Sequence, residues 1–153
     1  MTPGQGMSSG SAEETEPEGV ARAFVDAVAW GEHRRVWELL GQDGRRAVLR
    51  VAVARGMDDA LSARLRDGTA TASEADTFLA DLVNGLRADL AGNDLDTLDY
   101  HQDLVSPEDG ATWVVLTAPL PIALGGEVPI GTMELVEESG AWRVSRLNPR
   151  PKP

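Results

Sequence analysis

Residues 127–147 read EVPIGTMELVEESGAWRVSRL, and the fold turns on how this stretch is parsed. Ser139-Gly140 divides it into two extended runs. In the second run Trp142 and Val144 alternate with Arg143 and Ser145, the period-two pattern of a strand. A Ser-Gly pair between two such runs supplies the positive φ angles that a tight hairpin requires. Working back along the chain, Gly125-Gly126 and Asp109-Gly110 punctuate two further runs in the same way. The parse gives strands at about Asp96–Val105, Thr112–Leu124, Glu127–Glu137 and Ala141–Leu147. Three successive hairpin signals predict an antiparallel meander. Pro119, Pro121 and Pro129 gather at one hairpin end, where a missing N–H is tolerated only at an edge or a bulge.

Upstream of the meander the period changes to 3.6. Val20, Phe24 and Val28 place a stripe on a helix from about Pro17 to Trp30. Proline suits its first turn, and Gly31 suits the left-handed position after its end. A short helix follows from about His33 to Leu40, then another from about Arg45 to Arg55. The latter's broad apolar face (Val48, Leu49, Val51, Ala52, Val53) predicts deep burial, with its arginines snorkelling outward. Asp58 or Asp59 caps a short helix to Arg66. The clearest helix runs from Glu74 to Ala91, with Ser73 as N-cap and Asp76 three residues on. Its stripe is Phe78, Leu79, Leu82, Val83, Leu86 and Leu90. The fold class is therefore α+β, N-terminal helices packed on a curved four-stranded antiparallel meander. Residues 19–148 form one domain, flanked by a disordered acidic tail at 1–18 and an irregular tail at 149–153. There is no internal repeat or heptad run.

The chain of 153 residues contains no cysteine, which excludes disulfides, thiolate metal sites and cysteine nucleophiles. It is long enough to bury roughly 70% of the surface its unfolded chain exposes, so its core needs no such staple. No run approaches the ~20 apolar residues of a membrane span, and the first eighteen residues lack the basic and apolar regions of a secretory signal. A cytoplasmic protein is expected. Thirteen arginines against one lysine fit GC-rich coding of the actinobacterial kind. The net charge of −11 opposes binding to nucleic-acid phosphates or anionic lipid. That charge is unevenly spread. Residues 32–66 carry eight arginines against five acids, whereas residues 67–142 carry fifteen acids against Arg87 alone. Such a split makes either a solvated surface or a dipole that orients a charged partner.

Two stretches resemble the nuclear transport factor 2-like superfamily. Phe24-Val25-Asp26-Ala27-Val28-Ala29-Trp30-Gly31-Glu32, followed by Val36-Trp37-Glu38-Leu39-Leu40, is similar to that family's opening. There a first helix ends at Gly-Asp or Gly-Glu and a short second helix ends in Leu-Leu. Gly140-Ala141-Trp142-Arg143-Val144-Ser145-Arg146-Leu147 is similar to its last strand. The resemblance implies a cone-shaped domain with a pocket between the concave sheet face and the helices. It also implies dimers formed through the outer sheet face. Polyketide cyclases, isomerases and non-enzymatic binding domains share that fold, so the resemblance implies no single activity.

The candidate chemistry lies on the first strand. Asp99, His101 and Asp103 alternate, so they project from one face. A histidine between carboxylates is suited to acid/base work near neutrality. The opposite face carries Leu98, Tyr100 and Leu104, and the more apolar face should meet the helices. That choice turns Asp99, His101 and Asp103 outward unless a bulge reverses the register. It makes Tyr100 and Gln102 the inward groups, with Tyr100 either a hydrogen-bond donor to a ligand oxyanion or a core tyrosine. Trp30, Trp37 and Trp113 are either core or part of a ligand-binding wall. His33 is expected to be exposed. Arg45, Arg46, Arg50 and Arg55 form either a solvated face or an anion site. Both faces of the second strand are apolar, which calls for a covering partner and predicts a homodimer. The sequence calls for no cofactor, since it lacks a phosphate-binding loop and a dinucleotide fingerprint. Two histidines without cysteine argue against a catalytic zinc site. The functional expectation is a pocket for a small ligand of apolar or mixed polarity, with cyclase- or isomerase-like acid/base catalysis left open. The alternative is a non-catalytic dimeric domain that binds a protein partner.

Overall fold

A computed structural model describes residues 16–91, 94–103 and 111–149, without the side chains of Asp103 and Pro149. Among these residues the element order is α1 (Pro17–Trp30), α2 (His33–Leu39), α3 (Gln42–Ala54), α4 (Asp59–Asp67), α5 (Ala72–Asp89), β1 (Asp99–Asp103), β2 (Ala111–Pro119), β3 (Glu127–Glu138) and β4 (Ala141–Pro149). The strands pair in chain order as one open antiparallel sheet. The helices-then-meander architecture is therefore observed. Of the tail expected at 1–18, residues 1–15 lie outside the described residues, whereas Pro17 and Glu18 open α1. The Asp109-Gly110 turn and residues 150–153 also lie outside.

Ser139 and Gly140 take φ of 53° and 82°, the paired positive angles of the hairpin turn between β3 and β4. The β2–β3 connection is longer than the sequence implies. β2 stops at Pro119, and a 3₁₀ turn spans Ile122–Leu124 before Gly125-Gly126. The register shifts where Leu116 faces Gly131 and Thr117 faces Pro129, a bulge beside the proline that cannot join the ladder. A second shift falls between Glu134 and Leu135, opposite Ser145.

Helix α1 covers the inner sheet face. Val20, Phe24, Val25 and Val28 are fully buried with Leu116, Met133, Leu135 and Val144. The end of α1 is completed from a distance. Gly31 adopts φ 72°, and the Arg87 guanidinium on α5 donates to the Val28 and Ala29 carbonyls at 2.9 and 2.7 Å. A cation thus meets the negative end of a helix that has no basic residue in its own last turn.

Helix α5 begins earlier than the sequence reading placed it. Thr71, not Ser73, is the N-cap: its hydroxyl accepts from the Glu74 N–H at 3.1 Å, and the Glu74 carboxylate accepts from the Thr71 N–H at 3.0 Å. This reciprocal capping box uses a glutamate long enough to reach back. Asp76 instead ties α5 to α2, accepting from the Arg34 guanidinium and pairing with the His33 ring at 3.1 Å. His33 is accordingly half-buried and partnered rather than simply exposed.

Helix α3 also departs from expectation. Only Gly44 and Leu49 are buried, and Val51 is 49% exposed. The reason lies in its neighbours: α3 packs against the edge of β4 and against α4, which cover a narrow part of its apolar face. At that edge Leu40 forms a parallel bridge to Val144, and the Gly41 N–H donates to the Val144 carbonyl at 2.9 Å.

Candidate functional site

The uncovered part of α3 faces α5 across an open cleft of about 1090 Å³. Val48, Val51 and Ala52 contribute from α3, and Phe78, Leu82 and Leu86 from α5. Phe24 of α1 and Leu147 of β4 complete its apolar lining. The α5 stripe explains this division. Its Leu79 and Val83 are buried, while Phe78, Leu82 and Leu86 remain partly exposed and line the cleft. A stripe six residues strong thus serves two surfaces, one packed and one open.

The walls differ in charge. Arg46, Arg50 and Arg55 line the α3 side with Asp43, and Asp81 and Asp89 line the α5 side. Arg46 pairs with Asp43 at 3.5 Å, whereas Arg50, Arg55 and the Arg146 of β4 make no ion pair among the described residues. Arg45 is withdrawn from this group. Its guanidinium donates twice to the Trp37 carbonyl, at 3.1 and 2.9 Å, and lies 5.0 Å from the Trp37 ring centre. Partial burial lowers its pKa from the ordinary arginine value.

Of the residues picked out from the sequence, Arg46, Arg50 and Arg55 line this cleft, whereas Asp99, Tyr100, His101, Gln102, Trp30, Trp37 and Trp113 do not. Tyr100 is 7% exposed and joins the core beneath α1, with the Arg22 guanidinium 4.6 Å from its ring centre. Desolvation pushes its phenol well above the ordinary tyrosine range, and the Asp26 carboxylate adds to the rise. Gln102 is exposed and donates to the Thr112 hydroxyl at 3.2 Å. Trp30 ends α1 with 73% of its surface exposed and lines neither the cleft nor the smaller recess beside Trp37. Trp37 stacks edge-on against Phe78 with ring centres 5.7 Å apart, and lines a small 120 Å³ recess with Arg64 and Leu79. Trp113 sits half-buried in the middle of β2, opposite Asp103 and Glu134.

Asp99 and His101 are both exposed, on the face of β1 opposite buried Tyr100. The His101 Nε2 lies 3.3 Å from the Glu127 carboxylate, which comes from the start of β3. Glu127 also accepts from the Thr117 hydroxyl at 3.2 Å. The strand group is therefore Asp99, His101 and Glu127. Glu127 lies two strands away and cannot be found by spacing along one strand, though the meander puts β1 and β3 on either side of β2. The side chain of Asp103 lies outside the described residues.

The cleft was visible in the sequence only in pieces, as the apolar stripes of α3 and α5 and as the arginines Arg46, Arg50 and Arg55. Comparison with protein families, with curated proteins and with solved structures finds no match for this chain.

Proposed function

We propose that this protein binds a small amphipathic molecule in the cleft between α3 and α5. One observation carries this reading: two helices present partly exposed Val48, Val51, Phe78, Leu82 and Leu86 to a common open space, with Arg50 and Arg55 at its edge making no ion pair among the described residues. Its volume of about 1090 Å³ lies just above the roughly 300–1,000 Å³ usual for small-molecule sites. An apolar ligand body would displace water from that lining. An anionic head would lie toward Arg50 and Arg55, gaining charge-assisted hydrogen bonds. The pocket that the nuclear transport factor 2-like resemblance implies would lie between sheet and helices, where Phe24, Leu116 and Met133 fill the space under α1. This reading therefore rests on the cleft itself and not on the resemblance.

Binding without turnover is the favoured form of this reading. The cleft lining holds no histidine, and the acid/base candidates Tyr100 and His101 lie elsewhere. The probe is anilinonaphthalene sulfonate, which combines an apolar body with one anionic group. It should bind the native chain saturably at one site. Val51→Glu, made at an exposed position, should weaken binding at least about tenfold, equivalent to ~1.4 kcal/mol, with the unfolding midpoint unchanged. Equal binding to both proteins would overturn the assignment.

A second reading has its own observation. Trp113 and Val115 are only half-buried on the sheet face away from α1. This favours a homodimer through that face. Sedimentation of Trp113→Glu against the parent chain tests it, and identical masses at every concentration would refute it.

A further inference from the structure

Asp99, His101 and Glu127 offer one carboxylate oxygen, one imidazole nitrogen and a second carboxylate oxygen, all within 4.8 Å of one another. We propose that these three residues bind a divalent first-row transition ion. The site is separate from the cleft and is built by the sheet itself.

Asp99 and His101 are two residues apart on β1 and share a face, so their spacing is held by the strand. Asp99 faces Thr117 across the β1–β2 ladder, and Thr117 faces Pro129 across the next, two residues after Glu127. The bulge beside Pro129 belongs to the same corner. Thr117 is 4% exposed, and its hydroxyl donates to the Glu127 carboxylate. A buried donor fixed in the central strand is the kind of outer support that orients a metal-binding carboxylate.

The electrostatics point the same way. No arginine or lysine occurs between Arg87 and Arg143, so this part of the sheet has no basic side chain of its own. Among the described residues the Glu127 carboxylate is paired only with His101, and Asp99 has no ion pair. Two carboxylates held together without a lysine or arginine are stabilised by a dication. Imidazole selects against magnesium and calcium, which take all-oxygen sets. Ligand atoms bonded at about 2.0–2.2 Å to one tetrahedral ion stand about 3.3–3.6 Å apart, and the His101 Nε2 and the Glu127 carboxylate already lie 3.3 Å apart. The count of two histidines argues against a catalytic zinc site; the proposal here is of ion binding by two carboxylates and one imidazole, with no catalysis assigned to it.

The experiment titrates the full chain with zinc chloride by calorimetry and follows both histidine ring signals by NMR. The expected result is one ion per chain, with the His101 ring shifting and the His33 ring unmoved. His101→Gln and Glu127→Gln should each weaken binding at least about tenfold, Thr117→Val by about tenfold, and His33→Gln not at all. Excess calcium should fail to displace the zinc. A stationary His101 ring in the parent chain would overturn the proposal whether or not the variants fold. So would zinc binding that survives His101→Gln or is displaced by equal calcium.

Discussion

Gly44 and Gly85 are both helical, yet their surroundings assign them opposite outcomes on substitution. A Cβ on Gly44 would stand 2.6 Å from the Val144 carbonyl oxygen, a backbone atom that cannot swing away. A Cβ on Gly85 would meet nothing within 4 Å. Gly44→Ala gains helix propensity but forces α3 off the β4 edge, and should lower stability by about 1–2 kcal/mol. Gly85→Ala should raise it by about 0.5–1 kcal/mol. Urea unfolding of both variants reads the difference. The two glycines look alike as letters, because only the tertiary approach of β4 distinguishes them. Tyr100 offers a second test at this scale. Its folded pKa is raised, so its contribution to stability is fully present below the ordinary tyrosine pKa of about 10 and is lost as pH climbs toward the folded value. Stability should fall by up to roughly 1.4 kcal/mol per pH unit above that point. Tyr100→Phe should remove this slope. It is the chain's single tyrosine, so tyrosinate absorbance at about pH 11 should appear only on unfolding.

At the scale of elements, the helix and strand types followed from periodicity and turn chemistry, and the boundaries depended on partners. The span Pro17–Trp30 was legible because proline and glycine mark both ends. The start of α5 was misread because Ser73 and Thr71 are both competent caps. The choice falls to Thr71 because Glu74 can reach back to it while also holding Arg64 at 2.6 Å. Thr71→Ala should cost about 1 kcal/mol in thermal or urea unfolding, and Ser73→Ala close to nothing. If Ser73→Ala proves the costlier change, the capping assignment is wrong. The face of β1 was legible in the same physical way: Leu98 and Tyr100 are buried, so Asp99 and His101 look outward. Glu127 was not legible as their neighbour, because it depends on the register of two ladders and a bulge.

For the whole molecule, the decisive feature is apolar surface left over after the core is made. The space between α1 and the sheet is filled by Phe24, Leu116 and Met133, all essentially inaccessible. The open space lies beside that core, where α3 hangs on the β4 edge and α5 packs on α1 and α2. Sequence periodicity showed that these helices were amphipathic, but it could not show that part of each stripe lacks a partner. No helix among the described residues is long and apolar enough to cross a membrane. The exposed apolar surface of α3 and α5 is therefore not part of a membrane-spanning helix. The most direct test of the binding account is an amide NMR titration of the full chain with anilinonaphthalene sulfonate. The amides of Val48, Val51, Leu82 and Leu86 should shift together and saturate with one ligand per chain, while those of Tyr100, His101 and Trp113 stay in place. No saturable shift at α3 and α5, or shifts confined to the sheet, would contradict it.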